Sequence, residues 1–300
     1  MATIAVSGSS GLVGSKLARV LSDQGDTVLR LTRNSQKGSA SDLFWDPEEG
    51  LVNPQRLSGV DAVIHLAGEN IAEGRWNSVK KGRIRSSRVD GTRRLSEQIA
   101  RCENPPKVMV CASAIGFYGD RGDEILTESS LPGEGFLSDL CQEWESATSP
   151  ARQAGIRVVN VRIGVVLASH GGALAKMLTP FRLGLGGVIG DGSQYWSWIS
   201  LEDLVRVLIW VMEHDSIEGT VNAVAPESVT NREFTKTLGQ VLSRPTVFPL
   251  PGFVAGIVLG EMAEHLLLAS TRVSPVNLVQ SGFAFEHHGL RDALEHALSS

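Results

Sequence analysis

Three hundred residues, 42% of them hydrophobic, suffice for one large α/β domain or for a nucleotide-binding domain with a smaller companion. A formal charge of −5 and the lack of a long basic block argue against a general affinity for nucleic acid or anionic membrane, which leaves small molecules as the expected partners. The cysteines, Cys102, Cys111 and Cys141, are odd in number and form no C-x-x-C pair, so neither a disulfide framework nor a zinc site is expected.

Met1 runs straight into an apolar, strand-like segment without the basic opening of a secretory leader, so the expected compartment is the cytoplasm. The stretch LPGFVAGIVLGEMAEHLLLAS is interrupted by Glu261, Glu264 and His265. It falls short of the roughly 18 uninterrupted apolar residues that a membrane span needs, and reads as a buried or interface-facing helix.

In chain order, TIAVSG, LVGSKLARVLSDQG, TVLRLTR, DAVIHLAG, a helix from about Trp76 to Arg101, KVMVCAS, a helix from about Phe136 to Ala154, and RVVNVRIG alternate strand-like with helical patterns. Such alternation predicts a doubly wound parallel sheet with helices on both faces, a Rossmann-type α/β domain over residues 1–168. A further strand at about 219–225 is expected to join the sheet. Residues 169–300 read as a smaller α+β lobe on the substrate side, with a small C-terminal domain at about 245–295. Ser200 with Asp203 and Thr230 with Glu233 have the spacing of capping boxes, a structural role for both acids. GFAFEHHGLRDALEHAL predicts a short strand leading into a closing helix. On that strand His287 and His288 would face opposite ways, so they would share no metal.

The first strand runs into SGSSGLVG, which sets Gly8, Gly11 and Gly14 in a G-x-x-G-x-x-G arrangement before an amphipathic helix. Gly8 allows a tight turn, Gly11 a close approach of backbone to a pyrophosphate, and Gly14 close packing of helix on strand. The free N–H groups at the start of that helix add positive potential. NAD sites usually close the second strand with an acid that accepts from the ribose 2′-hydroxyl, whereas here Thr32 and Arg33 stand in its place. Arg33 can grip a 2′-phosphate through a fork of donors, so NADP(H) is the expected cofactor. The third strand delivers His65, Leu66, Ala67 and Gly68 to the carboxyl edge of the sheet. His65 reads as a packing residue rather than a base. The following helix is strongly basic, and Arg83 and Arg88 are its candidates for ligand contact.

SGSSGLVG, HLAG, RVDGT and SAIGFYG, in that order, make the chain similar to the extended short-chain dehydrogenase/reductases, in the branch of NAD(P)-dependent epimerases and dehydratases. HLAGENI, RIRSSRV, DLCQEWE, LTPFRLGLGG and NAVAPESVTNREFTKTLG resemble one subfamily, epimerase-family oxidoreductases with a small C-terminal domain of unknown function. The resemblance covers nearly the whole chain. It implies a cofactor set of Gly8, Ser10, Gly11, Leu12, Val13, Gly14, Thr32, Arg33, His65, Leu66, Ala67, Gly68, Glu69, Arg83, Arg88, Ser113 and Arg162.

It also exposes a departure. The usual enzymes of the superfamily pair Tyr with Lys four residues on, the lysine favouring phenolate so that the tyrosine can exchange a proton as hydride moves. Here Gly122 follows Tyr118 at that spacing and Ile199 follows Tyr195. Aligned through Glu145, Leu137 and Cys141 stand where the pair would be, and Arg88 where many relatives carry Asn. Ser113 and Tyr118 remain as the expected catalytic hydroxyls, with Trp196 and Trp198 as possible walls of a substrate pocket. Two readings follow: an NADP(H)-dependent oxidoreductase or epimerase-like enzyme acting on a small carbonyl or nucleotide-sugar-like substrate, or an NADP(H)-binding regulator with little turnover. The resemblance links the second reading to cell or plastid division.

Overall fold

The alternation of apolar and amphipathic runs resolves, in a computed structural model describing residues 1–33, 42–51 and 54–299, into a main sheet with helices on both faces. Its strands are β1 (Thr3–Ser7), β2 (Thr27–Thr32), β3 (Asp42–Asp46), β4 (Gly50–Leu51), β5 (Ala62–His65), β6 (Val108–Ala114), β7 (Arg157–Ile163) and β8 (Gly219–Ala223). The order is β8-β7-β6-β5-β1-β2-β3-β4. Every neighbouring pair is parallel except β3 with β4, so an antiparallel edge strand closes a seven-stranded parallel sheet. Strand order reverses direction between β1 and β5, which opens a crevice at their carboxyl ends.

The sheet is buried on both faces, as crossover helices require. On one face Ile4, Val6, Ile64, Val110, Val159 and Val221 meet α1 (Leu12–Asp23) and the helix Leu201–Glu213. Helix α1 follows from its own spacing, since Gly14, Leu17, Ala18 and Leu21 make one buried stripe at i, i+3, i+4 and i+7. On the other face Ala5, Val63, Met109, Cys111 and Val158 pack on Leu95 and Ile99 of α2 (Ser78–Ala100) and on Trp144 of α3 (Phe136–Ser146). The single helix expected over 136–154 is two, because α3 ends at Ser146 and a short helix restarts at Ser149–Gln153. Pro150 has no N–H to offer the Ser146 carbonyl, so the ladder is broken there.

Beyond β7 the chain builds a second core from Leu174, Phe181, Trp196, Trp198, Phe234, Leu238, Leu290 and Leu294. The boundary at 168 is crossed by the helix Leu201–Glu213 and by β8, both of which return to the main sheet. Thr230 and Glu233 form a complete capping box. At Ser200 only half of one forms: its Oγ accepts from Asp203 N, while the Asp203 carboxylate accepts from the backbone of Glu286 and His287 at 2.8 and 3.0 Å. No strand forms at 283–287: the N–H groups of Glu286 and His287 are bound to that carboxylate and the N–H of Phe283 to the Leu278 carbonyl, rather than to a sheet. His287 is buried against Asp292 and His288 is exposed. The apolar stretch after Pro251 breaks at Gly260 (φ +64°), and Phe253 and Ile257 stand 72% and 69% exposed rather than buried. No helix among the described residues is long and apolar enough to cross a membrane.

Candidate functional site

The floor of the crevice is a polar joint between β1 and β5. Ser7 and His65 are register partners at the ends of these strands, and Ser7 Oγ accepts from the backbone N–H of Leu66 (3.1 Å) and Ala67 (3.3 Å). With both lone pairs used, its one hydrogen goes to His65 Nδ1 at 2.6 Å, which leaves the imidazole proton on Nε2. That nitrogen is buried and has no hydrogen-bond partner among the described residues, while the ring meets Trp45 edge-on at 5.5 Å. Full burial lowers the His65 pKa to about 4. The imidazole is therefore a neutral pin between two strands.

Above this joint lies the glycine turn. Gly8 has φ +67°, and a Cβ there would sit 2.8 Å from the Leu66 carbonyl carbon. A Cβ on Gly14 would sit 2.2 Å from the Gly8 oxygen. Both positions are closed to any side chain, which lets α1 start directly over the end of β1. Gly11 N donates to Gly8 O at 2.9 Å, and no side chain caps the helix at Gly11, so its first N–H groups are available to an anion. Ser10 is exposed at the turn, while Leu12 and Val13 lean partly into the core. Leu12 also touches Gly171 of the second lobe.

A basic cluster flanks the turn where β2 ends. Arg33 is exposed after Thr32. Lys80, at the start of α2, donates from Nζ to Glu69 Oε1 at 2.7 Å, and Arg83 Nε lies 3.8 Å from the same oxygen. The hydrogen bond from Lys80, with the charges of Lys80, Arg83 and Arg33, holds the Glu69 carboxyl below its usual range. Arg88, one turn further on, donates from Nη1 to the Glu69 carbonyl at 2.9 Å and lies 5.1 Å from the Trp144 ring centroid. Its guanidinium fills the space beside Gly68, where a Cβ would come within 3.1 Å, and burial lowers its pKa to about 10.

The expected catalytic hydroxyls point elsewhere. Tyr118 is 0% exposed, and its Oη accepts from Arg162 Nη1 at 2.9 Å and donates to Asn222 Oδ1 at 2.7 Å. Arg162 in turn forms a fork to Glu145, Nε to Oε1 at 2.8 Å and Nη2 to Oε2 at 2.9 Å, with its guanidinium 3.3 Å from the Phe117 ring centroid. Ser113 Oγ donates to Glu145 Oε1 at 2.7 Å. Tyr118 thus has a cationic neighbour, but an arginine from another strand rather than a lysine on its own helix. Burial outweighs that neighbour and pushes the phenol above its ordinary range. Trp196 and Trp198 belong to the second core, 6% and 0% exposed. Cys141, at the position of the missing lysine, is a buried thiol that burial pushes up to about 12.

Gly8, Gly11, Gly14, Arg33, Gly68, Glu69, Arg83 and Arg88 therefore gather around one crevice. Ser113, Tyr118 and Arg162 form a second, buried group with Glu145 and Asn222. Sequence reasoning missed Ser7, Lys80, Glu145 and Asn222 as polar partners. Only Ser7 carried a local signal, a hydroxyl set in an apolar strand next to the turn. A cavity of about 440 Å³ lined by Asp120, Asp123, Asp191, Tyr195 and Ser270 lies outside both groups, and its lining holds no basic side chain for a phosphate.

The same chain matches, over residues 4–224, the model of the NAD dependent epimerase/dehydratase family, and over residues 250–297 a domain of unknown function (DUF1731). It is 42% identical to an epimerase family protein of Mycobacterium leprae, ML0860, over 99% of this chain and 95% of that one. Its fold superposes on the crystal structure of human epimerase family protein SDR39U1 (isoform 2) with NADPH at a TM-score of 0.91, with 34% identity and 99% of both chains covered. A nucleoside-diphosphate sugar epimerase from Corynebacterium glutamicum superposes at 0.82 with 37% identity, over 99% of this chain and 58% of that longer one. With its Rossmann sheet, its glycine turn and these relatives, the chain belongs to the NAD-dependent epimerase/dehydratase family.

Proposed function

We propose that this chain binds NADP(H) across the β1/β5 crevice and acts as an atypical, epimerase-like oxidoreductase on a small carbonyl or nucleotide-sugar-like substrate. The observation that carries the cofactor choice is the end of β2, where Arg33 rather than an acid stands and acts on the same Glu69 carboxylate as Lys80 and Arg83. The relative solved with NADPH supports it, and the sugar-nucleotide epimerase supports the substrate class. The residues fit the cofactor: Gly8 and Gly14 leave a cradle that a Cβ would fill, and the open start of α1 offers donors to a pyrophosphate.

The nicotinamide, when bound, supplies or accepts hydride. Arg33, Lys80 and Arg83 bind the phosphorylated ribose, and the Ser7–His65 joint fixes the strand ends below it. Ser113 and Tyr118 direct their hydrogens inward to Glu145 and Asn222, so they hold the sheet edge rather than exchange a proton with substrate. That same observation favours a second reading, an NADP(H)-binding protein that reports occupancy to a partner through a shift in its conformational equilibrium.

Fluorescence titration separates the cofactor claim from its alternatives. Charge-assisted hydrogen bonds of this type contribute about 1.5–3 kcal/mol, so Arg33→Asp should weaken NADPH by roughly 10- to 150-fold and leave NADH nearly unchanged. Equal weakening of both nucleotides refutes the assignment. Oxidation of bound NADPH by aldehydes, ketones, enones or nucleotide keto-sugars, or reduction of bound NADP+ by nucleotide sugars, supports the enzyme. Tight binding without turnover across that panel supports the regulator.

A further inference from the structure

Lys80 is an unusual cation for a nucleotide site, because its side chain is only 7% exposed. An ammonium removed from water to that extent requires an anion. Among the described residues, the acceptor bonded to its Nζ is Glu69 Oε1, at 2.7 Å. The carboxylate itself is far more open, 32% exposed, and Arg83 beside it is 64% exposed. Arg33 acts on the same carboxylate from the end of β2, and Arg88 is bonded to the Glu69 carbonyl. Four cations thus surround one acid, a local excess of three positive charges in a chain whose formal total is −5. The Glu69 backbone is anchored at both ends of the residue, its N–H to Ser87 Oγ at 3.0 Å and its carbonyl to Arg88, so only the side chain is free to turn away.

We propose that Glu69 is a resident counter-anion of the 2′-phosphate subsite: it holds Lys80 and Arg83 in place until the phosphate of NADP(H) takes these cations over. It therefore sets how strongly a 2′-phosphate is preferred. The proposal rests on the NADP(H) reading above. In the free protein Glu69 is the hydrogen-bonding anion of Lys80 in a nearly buried position. On binding, the phosphate inherits a preformed cage, and the displaced carboxylate turns toward solvent while still repelling the new anion. Glu69 in this account weakens cofactor binding in return for a cage that stays assembled when empty.

The test is calorimetric titration with 2′,5′-ADP and with 5′-AMP, which differ by the phosphate in question. The wild-type protein should prefer 2′,5′-ADP. Glu69→Gln, which keeps the shape and removes the charge, should raise that preference on the order of tenfold, the size of one partly screened unit-charge repulsion, with 5′-AMP unchanged. A folded Glu69→Gln protein whose preference is unchanged or reduced overturns the counter-anion role while leaving the cofactor reading intact. A wild-type protein with no preference overturns both. Should Glu69→Gln fail to fold, Lys80→Met carries the test. The preference must then fall by a similar factor, and an unchanged preference overturns the proposal.

Discussion

His65→Gln isolates the buried joint beneath the cofactor crevice. The folded pKa of about 4 lies below the 6.5 expected for an unfolded histidine. Above pH 6.5 both states are neutral and the residue adds no pH dependence. Between 6.5 and 4 the unfolded chain takes up a proton that the folded protein refuses, so stability falls as pH falls through this window. Integrated from pH 7 to pH 5, the loss attributable to this one imidazole is about 2 kcal/mol. Glutamine offers Ser7 Oγ a neutral acceptor and cannot titrate. Urea unfolding of both proteins at pH 7 and pH 5 should therefore show the wild-type protein losing about 2 kcal/mol more than the variant over that interval. Equal losses would mean that the imidazole is solvated or charged in the folded state. That would also remove the reason for excluding it as a base.

Two further substitutions probe the hydroxyl network and the turn. Tyr118→Phe leaves Arg162 Nη1 and Asn222 Oδ1 without the partner they share, a cost of about 1–3 kcal/mol in urea unfolding, while NADPH affinity stays as it was. A weakened NADPH titration with unchanged stability would instead place the phenol against ligand. Gly14→Ala puts a Cβ 2.2 Å from the Gly8 oxygen, a backbone atom that cannot yield without moving the turn. It should lower stability by about 1–3 kcal/mol and weaken NADPH in the same titration. Normal values in both measurements would show that α1 does not depend on this close approach.

The glycine turn, Arg33 and the parallel sheet were legible because each rests on spacing within a few residues of one strand, turn or helix. The contacts around Tyr118 were not, because its hydroxyl partners lie 44 and 104 residues further along the chain, on two other strands. A tyrosine in SAIGFYG looks available until Arg162 and Asn222 arrive beside it. The same limit applies to Lys80, one cation among many on a basic helix until β5 presents Glu69 to it. At 283–287 the apolar alternation of Phe283 and Phe285 was real and both rings are buried, yet the N–H groups of Glu286 and His287 went to the Asp203 carboxylate and that of Phe283 to the Leu278 carbonyl. Hydrophobic period shows which side chains face the core. It does not show which acceptor takes the N–H groups.

Ser113, Arg162 and Asn222 are direct register partners on three adjacent strands, β6, β7 and β8. A slip of one residue in any of these pairings would turn a polar member of the row to the opposite face, where Val110, Val161 and Val221 form an apolar layer. In parallel strands rich in valine, hydrophobicity alone distinguishes adjacent registers poorly, since either face would accept the neighbouring residue. The row of hydroxyl, guanidinium and amide gives this half of the sheet an address during folding: β8, which must return from residue 219 to pair with β7, has one alignment that sets the Asn222 amide against the Tyr118 hydroxyl held by Arg162.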